Sequence, residues 1–172
     1  MINEKDFTYC PHCATKFVVD GDHLSCPKCK LQYYVNPKPT NAVLLKNGKD
    51  ELLLVKRKHD PKKGYWDLPG GFINTGETAE ESVHREVEEE LKIRISDIHY
   101  LCSFYDTYEF GEIKAHTICF LFEAKMINPE VMNPSDDVES FKYFDTKNLP
   151  YDSFAFPPMR DALLRLYSLK NP

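Results

Sequence analysis

The chain has 172 residues, of which 42% are hydrophobic and 28% are charged, and its formal net charge at pH 7 is -5. This globular balance allows one ordinary domain with a small appendage, while the acidic charge argues against a general nucleic-acid-binding protein and no apolar run is long enough to span a membrane. The N-terminal sequence MINEKDFTYC lacks the apolar centre of a signal peptide, so we expect a soluble, cytoplasmic protein.

Two pairs of cysteines stand near the N-terminus, in the sequences CPHC and CPKC. Each pair, Cys10 with Cys13 and Cys26 with Cys29, has the spacing at which two thiolates wrap around one metal ion. Four thiolates close a tetrahedral zinc site and leave no open position for chemistry, so such a site is structural. The alternatives are a redox-active pair or two disulfides, which are rare in a chain without a secretion signal.

The residues between the two cysteine pairs predict a β-hairpin with Asp20-Gly21 as its turn. Hairpin and cysteines together predict a zinc ribbon over residues 1–36, followed by a main domain over residues 37–172. Pro37 and Pro39 predict a linker between these two parts, because proline punctuates regular structure.

The main domain alternates between strand-like and helical segments, which is typical of an α/β fold. The segments NAVLL and ELLLVKR predict two strands joined at Asn47-Gly48 by a turn with hairpin chemistry. A helix is predicted from about Thr78 to Leu91, and a closing helix begins at PPMRD, where proline suits the first turn. Further strands are predicted in DIHYLCSFYDTYEF, HTICFLFEAK and FKYFD.

The first helix carries carboxylates on the face that should be buried. Its apolar stripe consists of Ala79, Val83, Val87 and Leu91. In helical projection Glu90 falls near the middle of this stripe, with Glu86 beside it. Buried carboxylates without partners are costly, so they should neutralise or bind a cation, and Mg²⁺ or Mn²⁺ suits carboxylate oxygens. A solvated charged face would explain Glu81 and Glu88, but it does not explain Glu90.

This segment resembles the signature of the Nudix hydrolases, G-x5-E-x7-R-E-U-x-E-E-x-G-U, in which U is a bulky aliphatic residue. The fixed positions are occupied by Gly71, Glu77, Arg85, Glu86, Val87, Glu89, Glu90 and Ile93. The one departure is Lys92, which stands where the family has the glycine that ends the helix in a left-handed conformation. Lysine in that conformation costs roughly 1 kcal/mol and replaces no metal ligand.

The resemblance implies an α/β/α sandwich with a mixed sheet, in which a loop–helix–loop box presents a metal site. By position, Glu86 and Glu90 correspond to the family's core ligands for Mg²⁺ or Mn²⁺, and Glu89 to a further ligand or orienting group. The carbonyl of Gly70 would complete the coordination shell. The resemblance also implies that Arg85 forms an ion pair with Glu77 and holds the shape of the box.

The N-terminal ribbon is similar to that of the NADH pyrophosphatases within this family. That subgroup carries an S-Q-P-W-P-F-P-x-S array after the box, whereas residues 94–128 here contain no proline. The sequence therefore does not single out NADH as the substrate.

The general base varies among Nudix hydrolases, and it comes either from the box or from an acid on a later loop. The segment NPSDDVESFKYF offers Asp136, Asp137 and Glu139, of which we favour Asp137, also as an additional metal ligand. A solvated acidic loop is the alternative for all three acids. Phe72 and Tyr105 are candidates for stacking on a substrate base, although aromatic residues near strand ends often belong to the core.

The predicted function is metal-dependent hydrolysis of the pyrophosphate bond in a nucleoside diphosphate linked to another moiety, such as NADH, ADP-ribose or a related compound. The alternative is a binding module, in which the ribbon contacts protein or nucleic acid and the Nudix domain is a scaffold. The partner expected for the enzyme is a small nucleotide. Nucleic acid is disfavoured by the acidic charge, and a homodimer is possible because members of the family often dimerise.

Overall fold

The computed structural model of the chain describes Asn3 and residues 6–168, and the side chain of Ser168 is not part of that description. The chain divides into two compact units. One consists of the chain up to Lys38 together with Thr107–His116, and the other consists of Pro39–Asp106 and the chain from Thr117 onward. The predicted boundary between residues 36 and 37 stays a prediction.

The N-terminal unit contains a small antiparallel sheet with the strand order β1-β2-β3. Its strands are β1 (Val18–Asp20), β2 (His23–Ser25) and β3 (Gln32–Tyr33). The hairpin predicted between the cysteine pairs is confirmed: Asp20 pairs with His23, and Gly21 adopts the positive φ of 65° that the tight turn requires. One core cluster of this unit is formed by the buried residues Cys10, Phe17, Leu24 and Cys26.

The remaining strands form two three-stranded sheets, with the orders β4-β8-β7 and β6-β5-β9. They are β4 (Lys38–Leu45), β5 (Leu52–Arg57), β6 (Trp66–Asp67), β7 (Arg94–Phe110), β8 (Ile113–Ile127) and β9 (Val138–Phe144). Two short 3₁₀ helices, Pro129–Val131 and Tyr151–Ser153, lie before and after β9. The three strands predicted after the first helix are thus present, and all three are longer than expected.

The hairpin predicted between β4 and β5 is wrong in its pairing. An antiparallel bridge joins Lys46 to Leu52, but the two strands belong to different sheets. The turn is built by Asn47, whose Oδ1 accepts hydrogen bonds from the backbone N–H groups of Lys49 and Glu51. This side-chain turn reverses the chain locally without fixing which strands pair beyond it.

Pro39 was predicted to lie in a linker, but it is the second residue of β4. Its carbonyl accepts a hydrogen bond from the backbone N–H of Ile73 at 3.1 Å. Proline is tolerated at the start of a strand because only its N–H is missing from the ladder.

The two helices, α1 (Ala79–Leu91) and α2 (Pro157–Ser168), pack on opposite faces of the strands, as predicted for an α/β/α sandwich. In β4 and β5 successive residues alternate between the two cores, because side chains along a strand point to opposite faces. The core under α1 includes Val43, Leu45, Leu53, Val55, Val83, Val87, Leu91 and Phe122. The core under α2 includes Ala42, Leu44, Leu52, Leu54, Leu121, Met159 and Leu163. Among the described residues, no helix is both long and apolar enough to cross a bilayer.

The first helix begins and ends close to where the sequence predicted. Thr78 is the N-cap: its hydroxyl accepts from the N–H of Glu81, and the Glu81 carboxylate accepts from the N–H of Thr78, which completes a capping box. At the other end Lys92 adopts the left-handed conformation, with φ 59° and ψ 25°. The departure from the family's glycine therefore leaves the helix end in place.

We expect Lys92→Gly to raise the free energy of unfolding by about 1 kcal/mol relative to Lys92→Ala, because alanine keeps the Cβ that disfavours the left-handed conformation. Both substitutions remove the lysine side chain, so the comparison isolates the backbone effect. Chemical denaturation followed by circular dichroism measures the difference. Equal stability of the two variants would mean that the helix end relaxes out of the left-handed conformation.

Candidate active site and metal centres

The four N-terminal cysteines converge on one point. The Sγ atoms lie 3.6 Å apart for Cys10 and Cys29 and 3.5 Å apart for Cys13 and Cys26, and all four Sγ atoms lie within 4.8 Å of one another. A disulfide requires about 2.05 Å, whereas the edge of a tetrahedron with Zn–S bonds of about 2.3 Å measures about 3.8 Å. The cysteines are free thiols, and their arrangement fits a small tetrahedral zinc site.

The two cysteine pairs sit in matching turns, which explains why the cluster closes. After the first pair Ala14 has φ 57° and its N–H donates to the carbonyl of Cys10 at 2.8 Å. After the second pair Lys30 has φ 64° and its N–H donates to the carbonyl of Cys26 at 3.0 Å. Each turn folds the chain around its own two thiols, so two identical half-sites face each other.

Glu90 is buried on the inner face of α1, with 7% of its surface exposed. Its Oε2 accepts a hydrogen bond from the backbone N–H of Gly70 at 3.1 Å. Gly70 has a φ of +143°, and a Cβ at this position would collide with the carbonyl oxygen of Asn41. Only glycine lets the backbone approach closely enough to present its N–H to the buried carboxylate.

Glu86 lies one turn before Glu90, and its side chain is 13% exposed. The carboxylate rests against the backbone of Gly71, where an added Cβ would lie 2.6 Å from Oε1 and 2.9 Å from Oε2. The first glycine of the signature therefore leaves room for the Glu86 carboxylate, and an added Cβ would force that side chain to move.

Arg85 binds several carboxylates of the box at once. Its Nε and Nη2 form a two-pronged ion pair with Glu77 at 2.6 and 3.0 Å, as expected from the resemblance. Its Nη1 donates to Glu86 at 2.7 Å and to Glu89 at 2.9 Å. Its Nη2 also donates to the carbonyl of Phe72 at 3.0 Å, which ties the preceding loop to the helix.

The pKa of Glu77 is shifted in the opposite direction from the pKa values of Glu86 and Glu90. The hydrogen bonds from Arg85 lower the pKa of Glu77 to about 2. Burial raises the pKa of Glu86, against the opposing effect of Arg85. Burial raises the pKa of Glu90 well above its ordinary value, and the charges of Glu86, Asp67 and Asp137 raise it further. Two neighbouring desolvated carboxylates are a hard oxygen donor set, so these residues fit Mg²⁺ or Mn²⁺.

A family model described as NUDIX domain matches residues 36–166. The chain belongs to the Nudix family. It is 33% identical over 144 residues to the NAD-capped RNA hydrolase NudC of Chromobacterium violaceum, covering 83% of this chain and 51% of that protein. It is 35% identical over 126 residues to the ADP-ribose pyrophosphatase of Methanocaldococcus jannaschii, covering 73% of this chain and 72% of that protein. The chain thus spans about half the length of NudC.

Solved structures agree with this assignment. A Nudix hydrolase from Nitrosomonas europaea superposes with a TM-score of 0.71 and 26% sequence identity, covering 96% of this chain and 92% of that chain. The chain therefore has the Nudix α/β fold predicted from its sequence, preceded by a four-cysteine cluster.

Three further residues predicted for the Nudix site, Asp137, Phe72 and Tyr105, lie outside the group of carboxylates bound by Arg85. Asp137 lies on the loop between the first 3₁₀ helix and β9, with a side chain that is 74% exposed and an Oδ1 4.0 Å from Nε2 of His59. Phe72 is half-buried and contacts Arg85 through its carbonyl. Tyr105 is exposed on β7. The roles of Phe72 and Tyr105 in substrate binding stay predictions.

A buried ion pair beside the Nudix box was not predicted from the sequence. Asp67 is 8% exposed, and its Oδ2 lies 3.3 Å from Nη1 of Arg57. Burial raises the pKa of Asp67 to about 6, although the charge of Arg57 opposes this shift. In the β5–β6 ladder Asp67 stands opposite Val55, two residues before Arg57, so both side chains of the ion pair lie on the same face of the sheet. The pairing of β5 with the two-residue strand β6 leaves no local signal in the sequence.

Asn41 is a second residue that the sequence reading did not assign. It is 3% exposed, and its Nδ2 donates to the hydroxyl of Ser82 at 2.7 Å, while Arg85 donates to the same hydroxyl at 3.1 Å. The backbone N–H of Asn41 also donates to the carbonyl of Gly71 at 2.8 Å, so Asn41 links the segment of Gly70 and Gly71 to α1. A polar residue at the start of the apolar run NAVLL was the available signal.

The low pKa of Glu77 predicts a pH-dependent stability in metal-free protein. Its folded-state pKa of about 2 lies below the ordinary 4.5, so the stabilisation is fully present above about pH 4.5 and is lost as the pH falls toward 2. We expect Glu77→Gln to be less stable than wild type at pH 7. The difference in stability between the two proteins should narrow as the pH falls from about 4.5 toward 2. Thermal unfolding between pH 7 and pH 2.5 measures the difference.

Glu112→Gln is the matched control, because Glu112 is exposed in the turn between β7 and β8. This variant is expected to follow the wild-type stability curve. A Glu77→Gln difference that stays constant down to pH 2.5 would contradict the ion pair as its source.

Proposed function

We propose that this Nudix hydrolase uses Mg²⁺ or Mn²⁺ to cleave the pyrophosphate bond of a nucleoside diphosphate linked to another moiety, of the dinucleotide or nucleotide-sugar type. The observation that carries the proposal is the pair of desolvated carboxylates, Glu86 and Glu90, held against Gly71 and Gly70. A hard divalent cation binds such carboxylates and keeps further positions for waters and phosphate oxygens. A pyrophosphate is the polyanion that a cation so held would bind.

The residues of the box have two proposed roles, metal binding and support of the loop and helix. Glu86 and Glu90 would hold the cation, with Glu89, the carbonyl of Gly70 and Asp137 as additional candidate ligands. When bound, the cation neutralises the pyrophosphate and orients a water molecule for attack. Arg85 and Glu77 bind no substrate in this proposal, but they hold the loop and helix in register through their two-pronged ion pair.

The reaction is the addition of water across a phosphoanhydride. The water oxygen bonds to one phosphorus and the bridging P–O bond breaks, which gives a nucleoside monophosphate and a second phosphate product. The water proton passes to a base, either a carboxylate of the box or Asp137 on the loop before β9. The negative charge of Asp137 contributes to the raised pKa of Glu90, for which burial is the main cause, and this supports its proximity to the site.

The substrate class is supported by the relatives. One is an NAD-capped RNA hydrolase and another is an ADP-ribose pyrophosphatase. NAD and ADP-ribose share an adenosine diphosphate whose second phosphate is esterified to another group. We therefore place ADP-ribose, NAD, NADH and an NAD-capped oligonucleotide at the head of a substrate panel.

We expect Glu86→Gln and Glu90→Gln each to lower the rate of AMP release by at least about 100-fold, because each removes an anionic ligand from the cation. The fold should remain intact, since neither change removes apolar packing. AMP release in Mg²⁺ from the panel, followed by chromatography, measures the rate, and circular dichroism checks the fold.

Glu88→Gln is the matched control, because Glu88 is exposed on the same helix and its carboxylate is outside the proposed site. It should retain the wild-type rate. Wild-type rates in Glu86→Gln or Glu90→Gln would contradict the metal assignment, and a wild type inactive on the whole panel would favour the binding module.

The four-cysteine cluster supports a structural zinc ion as a second metal of this chain. Protein purified without added metal is expected to contain about one zinc per chain, because four thiolates form a closed tetrahedral shell. Cys26→Ser should lose the zinc, whereas Cys102→Ser, which alters a half-buried thiol of β7, should keep it. Elemental analysis of the purified proteins measures the content. Zinc-free wild type with cysteines 10, 13, 26 and 29 in disulfides would refute the ribbon.

A further inference from the structure

The C-terminal end of α1 is completed by a distant segment of the chain. The last four carbonyls of a helix have no partner within the helix and must find one elsewhere. In α1 the carbonyl of Glu88 accepts from the N–H of Lys92 at 3.1 Å. The carbonyl of Leu91 accepts from the N–H of Asn133 at 3.0 Å. Asn133 belongs to the loop of residues 133–137, called here the capping loop.

The two carbonyls between these belong to the acidic pair of the box, and one residue binds both. The hydroxyl of Ser135 donates to the carbonyl of Glu89 at 2.9 Å. The backbone N–H of Ser135 donates to the carbonyl of Glu90 at 2.8 Å. All four terminal carbonyls of α1 are thereby satisfied, and the capping loop is anchored at the residues whose carboxylates are the proposed metal ligands.

The capping loop carries its own acids directly after the anchor. The N–H of Val138 donates back to the carbonyl of Ser135 at 3.0 Å, so Asp136 and Asp137 form the centre of a tight turn. Asp136 has a φ of 53°, a left-handed conformation that a tight turn imposes and that aspartate tolerates. Ser135 thus binds the end of α1 through its hydroxyl and N–H, and it closes the turn that contains Asp136 and Asp137 through its carbonyl.

The far side of the turn is held as well. Lys58, directly after β5, donates its backbone N–H to the carbonyl of Asp137 at 2.8 Å and its Nζ to the carbonyl of Asp136 at 3.2 Å. These bonds go to the backbone and leave both carboxylates outside the Lys58 contacts, while Oδ1 of Asp137 lies 4.0 Å from Nε2 of His59. Next to burial, which dominates, the charges of Asp136 and Asp137 also help to raise the pKa of Glu86 and Glu90 respectively, so both acids lie near the inner carboxylates.

We propose that Ser135 is a positioning residue for pyrophosphate hydrolysis: its two bonds to the carbonyls of Glu89 and Glu90 hold the acids of the capping loop at a fixed distance from the metal-binding carboxylates. This inference rests on the proposed function. Positioning of a base or ligand within about 1 Å accounts for large rate factors, so loss of the hydroxyl should act on turnover rather than on substrate affinity.

A purely structural cap predicts a different result. In that case Ser135→Ala would lower the melting temperature, and the protein that stays folded would keep its wild-type kcat. A positioning role predicts a lower kcat in protein that is fully folded at the assay temperature, and an unchanged KM.

The experiment compares Ser135→Ala, Ser135→Thr and Ser140→Ala in Mg²⁺ with the best substrate of the panel. Ser135→Ala is expected to lower kcat about 10- to 100-fold with KM within about twofold of wild type. Ser135→Thr keeps a hydroxyl on Cβ and should restore most of the rate. Ser140→Ala makes the same change five residues later in β9 and should match wild type. Hydrogen exchange at the amides of Ser135 and Val138 should be faster in Ser135→Ala.

Wild-type kcat in Ser135→Ala would overturn the inference, as would an equal loss in Ser135→Ala and Ser135→Thr. These failures are distinct from failure of the proposed function. If wild type is active and Glu86→Gln is inactive while Ser135→Ala is unimpaired, only the positioning role falls. If wild type hydrolyses no member of the panel, both fall.

Discussion

The site depends on holding the carboxylates of Glu86 and Glu90 away from bulk water on one face of α1. Desolvation of a carboxylate is costly, and a second like charge nearby increases the cost. The helix withstands this because Val83, Val87 and Leu91 are fully buried beside the acids, and each such side chain contributes roughly 1.5–3 kcal/mol on burial. Apolar packing therefore sets the position of the helix, and the acids are carried to positions that they would not adopt by themselves.

The distribution of positive charge explains why the site is open to a cation. Arg85 neutralises the outer acids and reaches Glu86 through one nitrogen, but among the residues that the structure describes Glu90 has no ion-pair partner. Its compensation is the dipole of a single N–H, from Gly70. An arginine over Glu90 would occupy the position proposed for the metal ion. The ion pair of Arg85 with Glu77 thus holds the shape of the box, while the carboxylate of Glu90 has no ion-pair partner among the described residues and can bind a cation.

Features encoded by local spacing could be predicted from the sequence, whereas features that depend on distant strands could not. The burial of Glu90 follows from its place between Val83 and Val87 on a 3.6-residue helix, and the thiol cluster follows from two equal spacings. The prediction that β4 pairs with β5 was wrong because the turn at Asn47 constrains only four residues and does not determine which strands pair beyond it. The ion pair of Arg57 with Asp67 was missed because it depends on the pairing of β5 with β6, which places Asp67 opposite Val55, two residues before Arg57.

The capping loop also explains how the chain tolerates a lysine where the family has glycine. A left-handed lysine costs about 1 kcal/mol, and each net hydrogen bond contributes about 0.5–1.5 kcal/mol. Ser135 and Asn133 together donate three bonds to the last carbonyls of α1, next to Lys92. These bonds require the helix to end where it does and thereby impose the conformation of Lys92. The helix end is thus determined by tertiary contacts with a segment more than forty residues away rather than by the preference of the residue that caps it.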